Sequence, residues 1–184
     1  MIALPIDRQA DLRPIRQEDA TELFSLIETN RLYLREWLTW LDGMTSVPAA
    51  ESYIASRATL AAEGKAFCFV IRIGDRTVGL SHLVDINFID RKASVGYWVG
   101  AEHRGKGLAK KATHSLINYA FSGLMLNRVE IRCATGNLAS RAIPLALGFR
   151  EEGILRDSEW LNGRFVDQVI YGVLSSEWSG TITP

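Results

Sequence analysis

The sequence has no excess charge of either sign and no long apolar run, and each absence excludes a class of protein. Lys and Arg together number 21, as do Asp and Glu, so the formal net charge is zero. Proteins that hold nucleic acid by overall charge need a basic surface, so we expect no nucleic-acid partner. The longest stretch without a charged residue, 112–127, contains His114 and Asn118 and is interrupted by polar side chains too often for a membrane span.

Cysteine is scarce, and the first residues carry no targeting signal. Residues 1–10 lack the basic start and long apolar segment of a signal peptide, so we expect a cytoplasmic protein with no membrane partner. Cys68 and Cys133 each lie within an apolar run that is typical of a buried strand. Two thiols make no disulfide framework, and no Cys or His pair has the spacing of a zinc site. We therefore predict two core cysteines and no metal.

The composition that is present belongs to an ordinary globular protein, with 47% hydrophobic and 23% charged residues. A length of 184 residues suits a single domain, 1–184, that buries one core. Apolar periodicity and turn residues predict an α/β sandwich around one mixed sheet. One predicted helix begins after Asp19 and has apolar positions from 20 to 27, and the other predicted helices cover 31–41, 49–62, 107–120 and 138–147. The predicted strands cover 12–16, 66–73, 77–86, 93–99, 128–134, 149–159 and 164–174.

The most informative segment is the glycine-rich turn that follows the predicted strand 93–99. It contains Arg104, Gly105, Lys106 and Gly107, and an amphipathic helix begins directly after it. The first turn of a helix has unpaired N–H groups and the positive end of the helix dipole. Glycines let a ligand approach those groups closely, so the segment predicts an anion site of the kind that binds pyrophosphate.

Three other interpretations of this turn remain open. The spacing of Gly100, Gly105 and Lys106 is similar to a nucleoside-triphosphate loop, but Gly107 stands where that loop has Ser or Thr. A dinucleotide loop would need glycine or alanine at position 110, which is Lys110. The third interpretation is a glycine-rich turn without a ligand.

Two motifs resemble the GCN5-related N-acetyltransferase family. Arg104, Gly107 and Ala109 match its Arg-x-x-Gly-x-Ala signature, and Asn137 and Ser140 precede a helix that ends in Leu-Gly-Phe at 147–149. The resemblance implies a twisted, mixed and mostly antiparallel sheet of about seven strands flanked by helices. It also implies that acetyl-coenzyme A (acetyl-CoA) is bound by the following residues: Trp98, Val99, Arg104, Gly105, Lys106, Gly107, Leu108, Ala109, Asn137 and Ser140.

Residues 30–38, 96–98, 127–132 and 152–156 resemble one branch of that family, the ribosomal-protein N-terminal acetyltransferases of the RimJ/RimL type. The branch implies a protein N-terminal α-amine as the acceptor, with acetyl transfer by direct attack in a ternary complex. A homodimer is common in the branch. Two alternatives stay open, a small-molecule amine acetyltransferase and a coenzyme A-binding module without turnover, because one fold hosts many functions.

The resemblance also implies two catalytic residues. Ser140 would act on the leaving thiolate, and Glu159 would accept the proton of the amine through a water. Many family members use a tyrosine later in the helix that begins near Ser140, but no tyrosine lies between Tyr119 and Tyr171. Alternatively, Ser140 serves only the first helical turn and Glu159 is a solvated hairpin carboxylate.

Four further residue sets complete the expectations. Glu159 precedes Trp160, and an adjacent indole would favour a raised carboxyl pKa. Glu102 and Glu130 are lesser candidates for the base.

Three aromatic side chains of the early helices either pack in the core or form a wall of the acceptor site: Tyr33, Trp37 and Trp40. Cations outnumber anions over 101–114, and the reverse holds over 151–167, which suits a polyphosphate at one end and an ammonium at the other.

Overall fold

The fold is a single eight-stranded sheet covered by helices on both faces, seen here in a computed structural model that describes residues 3–181. The strands are β1 Leu4–Pro5, β2 Ala10–Pro14, β3 Phe67–Ile73, β4 Arg76–Asn87, β5 Lys92–Val99, β6 Arg128–Ala134, β7 Arg150–Leu161 and β8 Arg164–Leu174. The α-helices are α1 Ala20–Leu34, α2 Val47–Ala62, α3 Leu108–Asn118 and α4 Leu138–Ala146. No helix within 3–181 is long and apolar enough to cross a membrane.

The strand order is β1-β2-β3-β4-β5-β6-β8-β7, and among the described strands only β5 and β6 pair in parallel. The prediction of a mixed, mostly antiparallel sheet is confirmed. The count of about seven strands was one short because Leu4 and Pro5 pair with Leu12 and Asp11. Two residues are too few for periodicity to indicate a strand.

Each face of the sheet has its own apolar core. On one face, Leu116 and Ile117 of α3 are fully buried against the sheet, together with Cys133. On the other face, Ile27 of α1 and Ile54 of α2 pack over a surface that includes Cys68. Both thiols are free and buried, as the sequence predicted.

The prediction of a separate helix over 31–41 is wrong. The first helix continues to Leu34, the chain then turns, and a short 3₁₀ segment covers Thr39–Gly43. The Arg31 guanidinium donates hydrogen bonds to the backbone carbonyls of Leu41, at 2.7 Å, and Met44. These two bonds fold the segment back over the end of α1, which a continuous helix would prevent.

The two central parallel strands separate after a short stretch of pairing. Lys92, Ala93 and Ser94 of β5 pair with 128–130 of β6, and the pairing ends there. Farther along, Val95–Val99 pairs only with β4, and 131–134 pairs only with β8. The inner edges of β5 and β6 therefore diverge and leave backbone hydrogen-bonding groups facing a gap. These groups need another hydrogen-bond partner in the gap.

Candidate active site

A cavity of about 680 Å³ opens at the gap between β5 and β6. It is lined by both diverging strands, by Arg104 and Gly105 of the glycine-rich turn, by the start of α4, and by the segment that follows α1. One cavity thus joins the predicted anion site to the early aromatic residues.

The glycine-rich turn has the conformation that an anion cradle requires. Gly105 and Gly107 have φ angles of +69° and +73°, in the left-handed region that favours glycine. A Cβ atom added at either position would meet nothing within 4 Å, so the space above both residues is open. Within residues 3–181, no side chain caps the N-terminus of α3, and its first-turn N–H groups are left for a ligand.

Ser140 lies at the start of α4 and lines the cavity. Its backbone N–H donates to the Asn137 side-chain oxygen at 3.1 Å, so Asn137 caps the helix, as predicted. The Ser140 hydroxyl instead donates to the Tyr97 hydroxyl at 3.3 Å and lies 3.3 Å from Cys133 Sγ. Ser140 therefore serves the first helical turn through its backbone, while its side chain contacts Tyr97 and Cys133.

Tyr97 is the residue that sequence reasoning missed. It reaches Ser140 from β5, and its phenol donates to the Ser140 carbonyl oxygen at 2.9 Å. Burial, together with the neighbouring Cys133, raises the pKa of Tyr97 well above its usual value, so the phenol stays protonated. Residues 96–98 resemble the ribosomal-protein branch, but nothing local shows that Tyr97 reaches Ser140, because the contact spans 43 residues of sequence.

Glu159 faces the cavity from the inner side of β7. Its carboxylate accepts a hydrogen bond of 3.0 Å from the Gln168 side chain, whose oxygen accepts one of 3.1 Å from Ser158. Trp160 lies on the other face of the strand, where it is 56% exposed and packs edge-to-face on Phe165 at 4.7 Å. Trp160 therefore does not provide the apolar neighbour that the sequence suggested for Glu159.

The early aromatic residues form a wall of the cavity. Tyr33, Trp37 and Trp40 all line it, and Trp37 lies against Gly136 across the opening. The Arg104 guanidinium stacks over the Tyr33 ring at 4.5 Å. Of the two interpretations of these residues, the wall is the one that the geometry supports.

The structure brings most of the predicted site residues together, but not all of them. The cavity is lined by Trp98, Val99, Arg104, Gly105, Ala109, Asn137, Ser140 and Glu159. Lys106 and Leu108 instead line a separate cavity of about 140 Å³, and Gly107 lines neither.

The lesser candidates for the base lie elsewhere. Glu102 is exposed beside His103. Burial alone would raise the pKa of Glu130, but hydrogen bonds from Arg128 and Arg132 outweigh it and hold the pKa below its usual value. Among residues 3–181, no group of three or more His, Cys, Asp or Glu side chains is placed to hold a metal ion.

The sheet separates at its parallel pair, and a glycine-lined helix N-terminus lies beside the gap. The family model for the acetyltransferase (GNAT) domain matches residues 10–150. The chain therefore belongs to the GCN5-related N-acetyltransferase family and is an acetyl-CoA-dependent N-acetyltransferase.

Curated relatives cover the chain almost completely. The Bacillus subtilis (strain 168) protein YdaF, which is named as a ribosomal N-acetyltransferase, is 34% identical over 181 residues, 98% of this chain and 99% of its own. The ribosomal-protein-serine acetyltransferase of Escherichia coli (strain K12) is 28% identical over 169 residues, 91% of this chain and 94% of its own.

Solved structures agree with the fold. The microcin C7 self-immunity acetyltransferase MccE, in complex with acetyl-CoA and AMP, is 28% identical with a TM-score of 0.88 over 92% of this chain and 94% of that one. The ribosomal L7/L12 α-N-protein acetyltransferase RimL, in complex with coenzyme A, has a TM-score of 0.91 over 94% of this chain and 98% of that one. At 24% identity, RimL supports the fold alone.

Replacing Gly107 with Val is expected to weaken acetyl-CoA binding by about tenfold or more, because a branched side chain would occupy the open space and strain the left-handed backbone by about 1–2 kcal/mol. The affinity is measured by calorimetry and the stability by thermal unfolding. Gly74→Val is the matched control, since Gly74 has a φ of +57° and open space in a turn outside both cavities. Equal acetyl-CoA affinity in the two variants would contradict the anion-site assignment.

Proposed function

We propose that this enzyme acetylates the α-amine of a protein N-terminus, by direct attack in one ternary complex. The observation that carries the proposal is the charge of the cavity. Its lining carries two carboxylates, Glu36 and Glu159, and two guanidinium groups, Arg104 and Arg132. A polyamine bears several ammonium groups and needs a surplus of carboxylates, whereas a peptide N-terminus brings one amine into the site.

The pKa of the acceptor supports the same choice. An α-amino group has a pKa of about 8 and a lysine side chain about 10, so an α-amine is neutral far more often than a lysine side chain at physiological pH. A single partly buried carboxylate, Glu159, is then a sufficient base. Glu159 is held by Gln168 on the cavity side of β7, where it accepts the amine proton through a water.

The residues around the gap account for the remaining requirements of the reaction. Acetyl-CoA supplies the thioester whose acetyl group is transferred. The free N–H groups at the start of α3 and the Arg104 side chain bind its phosphates, and the unpaired inner edge of β5 at Trp98 and Val99 holds its amide-containing arm. Ser140 turns its hydroxyl from Tyr97 toward the sulfur and donates a hydrogen bond to the departing thiolate.

The second candidate function is acetylation of a small amine. It is favoured by one comparison, the spermidine N(1)-acetyltransferase of Vibrio cholerae, which is 32% identical over 101 residues, 55% of this chain and 58% of its own. Among the described residues, the cavity lining offers only two carboxylates, Glu36 and Glu159, to the several ammonium groups of spermidine, which argues against a polyamine.

An acceptor panel tests the proposal. Thiol release from acetyl-CoA is measured with short peptides that differ at the first residue, with one N-terminally blocked peptide containing lysine, and with spermidine. We expect kcat/KM for the best free-N-terminus peptide to exceed that for spermidine by at least about tenfold, and the blocked peptide to be inactive. Turnover confined to spermidine would reject the proposed acceptor.

A further inference from the structure

The apolar stripe of α1 contains one polar residue near its end. The buried residues of this helix follow helical spacing and form the face that packs on the sheet: Ala20, Leu23, Ile27, Asn30 and Leu34. Asn30 is only 9% exposed. A leucine in its place would bury more apolar surface, so an asparagine here indicates a neighbouring backbone group that needs a hydrogen bond.

That group is the backbone N–H of Ala101. The Asn30 side-chain oxygen accepts from it at 2.8 Å, across 71 residues of sequence, while the Asn30 side-chain nitrogen donates to the Leu26 carbonyl at 2.8 Å. Ala101 begins a short 3₁₀ turn, Ala101–His103, which leads directly into Arg104 and the glycine-rich turn. Asn30 therefore anchors the segment from which the phosphate-binding turn starts.

The same end of α1 supports this segment at its other end as well. The Arg104 guanidinium stacks over the ring of Tyr33, which lies about one helical turn after Asn30. A Cβ atom added at Gly100 would lie 3.3 Å from Leu26 and 3.4 Å from Asn30, so α1 packs directly against the start of the segment. The position of α1 therefore determines where the glycine-rich turn presents its N–H groups to a phosphate.

Arg31, the next residue, holds a different part of the chain. Its guanidinium donates hydrogen bonds to the carbonyls of Leu41, at 2.7 Å, and Met44. Both carbonyls lie at the end of the segment that brings Trp37 and Trp40 into the cavity wall. Neighbouring residues of a helix point in different directions, so Asn30 and Arg31 can each hold a separate segment.

We propose that Asn30 and Arg31 are positioning residues for opposite substrates of the reaction. Asn30 fixes the turn that binds the phosphates of acetyl-CoA, and Arg31 fixes the aromatic wall that contacts the acceptor. Neither residue lines the cavity, so each acts through the segment that it holds. The Arg31 part rests on the proposed function, because it takes a peptide N-terminus as the group that lies against the wall. The Asn30 part requires only that the turn binds acetyl-CoA.

Asn30→Leu tests the Asn30 part. The leucine has a similar size but leaves the Ala101 N–H without its acceptor, so we expect the affinity for acetyl-CoA, measured by calorimetry, to fall by about tenfold. The KM for a peptide that begins with Ser, measured at saturating acetyl-CoA, should stay close to that of the wild type. If Asn30→Leu does not fold, Asn30→Ala removes the same oxygen and decides the question.

Asn118→Leu is the matched control for Asn30. The Asn118 side-chain oxygen also accepts a hydrogen bond from a distant N–H, that of the Trp178 indole at 2.7 Å, but Asn118 lies outside both cavities. Its replacement removes the same kind of bond and should leave the acetyl-CoA affinity unchanged. Equal acetyl-CoA affinity in Asn30→Leu and Asn118→Leu would overturn the Asn30 part.

Arg31→Met tests the Arg31 part. The methionine keeps an unbranched stem but donates no hydrogen bond to the two carbonyls, so we expect the KM for the same peptide to rise by about tenfold while the acetyl-CoA affinity stays unchanged. Arg31→Lys should restore part of the difference, because an ammonium group can still donate to one carbonyl. Arg150→Met, which removes only an ion pair with Glu177 outside both cavities, is the control. A peptide KM in Arg31→Met equal to that of Arg150→Met would overturn this part.

The crossed pattern separates positioning from a general weakening of α1. If Asn30→Leu and Arg31→Met each changed the acetyl-CoA affinity and the peptide KM in parallel, the division between the two residues would be wrong. A wild type that acetylates n-butylamine but no peptide would reject the proposed function together with the Arg31 part. The acetyl-CoA affinity of Asn30→Leu would still decide the Asn30 part, because that measurement needs no acceptor.

Discussion

Glu159→Gln is expected to lower kcat by about 100-fold, because the amide cannot accept the proton that the amine loses, and general-base catalysis contributes about 10²–10⁴-fold. The substitution keeps the size of the side chain, and a glutamine can still bond to Gln168. The acetyl-CoA affinity should therefore stay close to that of the wild type. The measurement is thiol release at saturating acetyl-CoA and peptide, with the affinity for acetyl-CoA determined by calorimetry.

Glu63→Gln provides the control for this prediction. Glu63 forms only a surface ion pair with Lys65, outside the cavity, and its replacement should leave kcat unchanged. If Glu159→Gln matched the kcat of Glu63→Gln, Glu159 would be excluded as the base. The remaining carboxylate of the cavity lining, Glu36, would then be the next residue to replace.

Ser140→Ala is expected to lower kcat by about 10- to 100-fold, the range that corresponds to losing one hydrogen bond of about 1.5–3 kcal/mol to a charged group. The loss should shrink with an acetyl donor whose leaving thiol is more acidic, because a stabler thiolate needs less help to depart. Tyr97→Phe should cost less than Ser140→Ala, since Tyr97 positions Ser140 through its bond to the Ser140 carbonyl. Initial rates with the two donors provide the measurement.

Ser56→Ala is the matched control for Ser140. The Ser56 hydroxyl donates to the Tyr53 carbonyl within α2, on an exposed side of that helix, and is not part of the cavity. An equal loss with the acidic and the ordinary thiol donor would contradict a role of Ser140 at the leaving group. Such a result would leave Ser140 as a packing residue between β5 and β6.

Features that depend on neighbouring residues could be predicted from the sequence. The left-handed glycines at 105 and 107 and the helix that starts after them are local, and they appear where the sequence places them. The cap of α4 by Asn137 is also local, because donor and acceptor are three residues apart. The turn between β7 and β8 at Asn162 and Gly163 is local as well, because both residues have the positive φ that an Asn-Gly dipeptide favours.

Features that depend on distant residues could not be predicted. The segment after Leu34 has a helical pattern, but bonds from Arg31 to carbonyls 10 and 13 residues away fold it into a cavity wall. Glu159 and Trp160 are adjacent in sequence, yet the alternation of a strand sends them to opposite faces. His82 is a lone histidine until the register of β4 and β5 sets it opposite Gly96.

The sequence by itself determined the family, the glycine-rich anion turn and the two motifs that carry Arg104 and Ser140, because these depend on short-range backbone chemistry. Only the tertiary structure decided what surrounds them. The end of β5–β6 pairing at Ser94 opens the gap, and β5 then sends Tyr97 to Ser140 on one face and Trp98 to the opposite face, that of α1 and α2. The physical reason is that strand register and sheet separation are set by contacts between residues far apart in sequence.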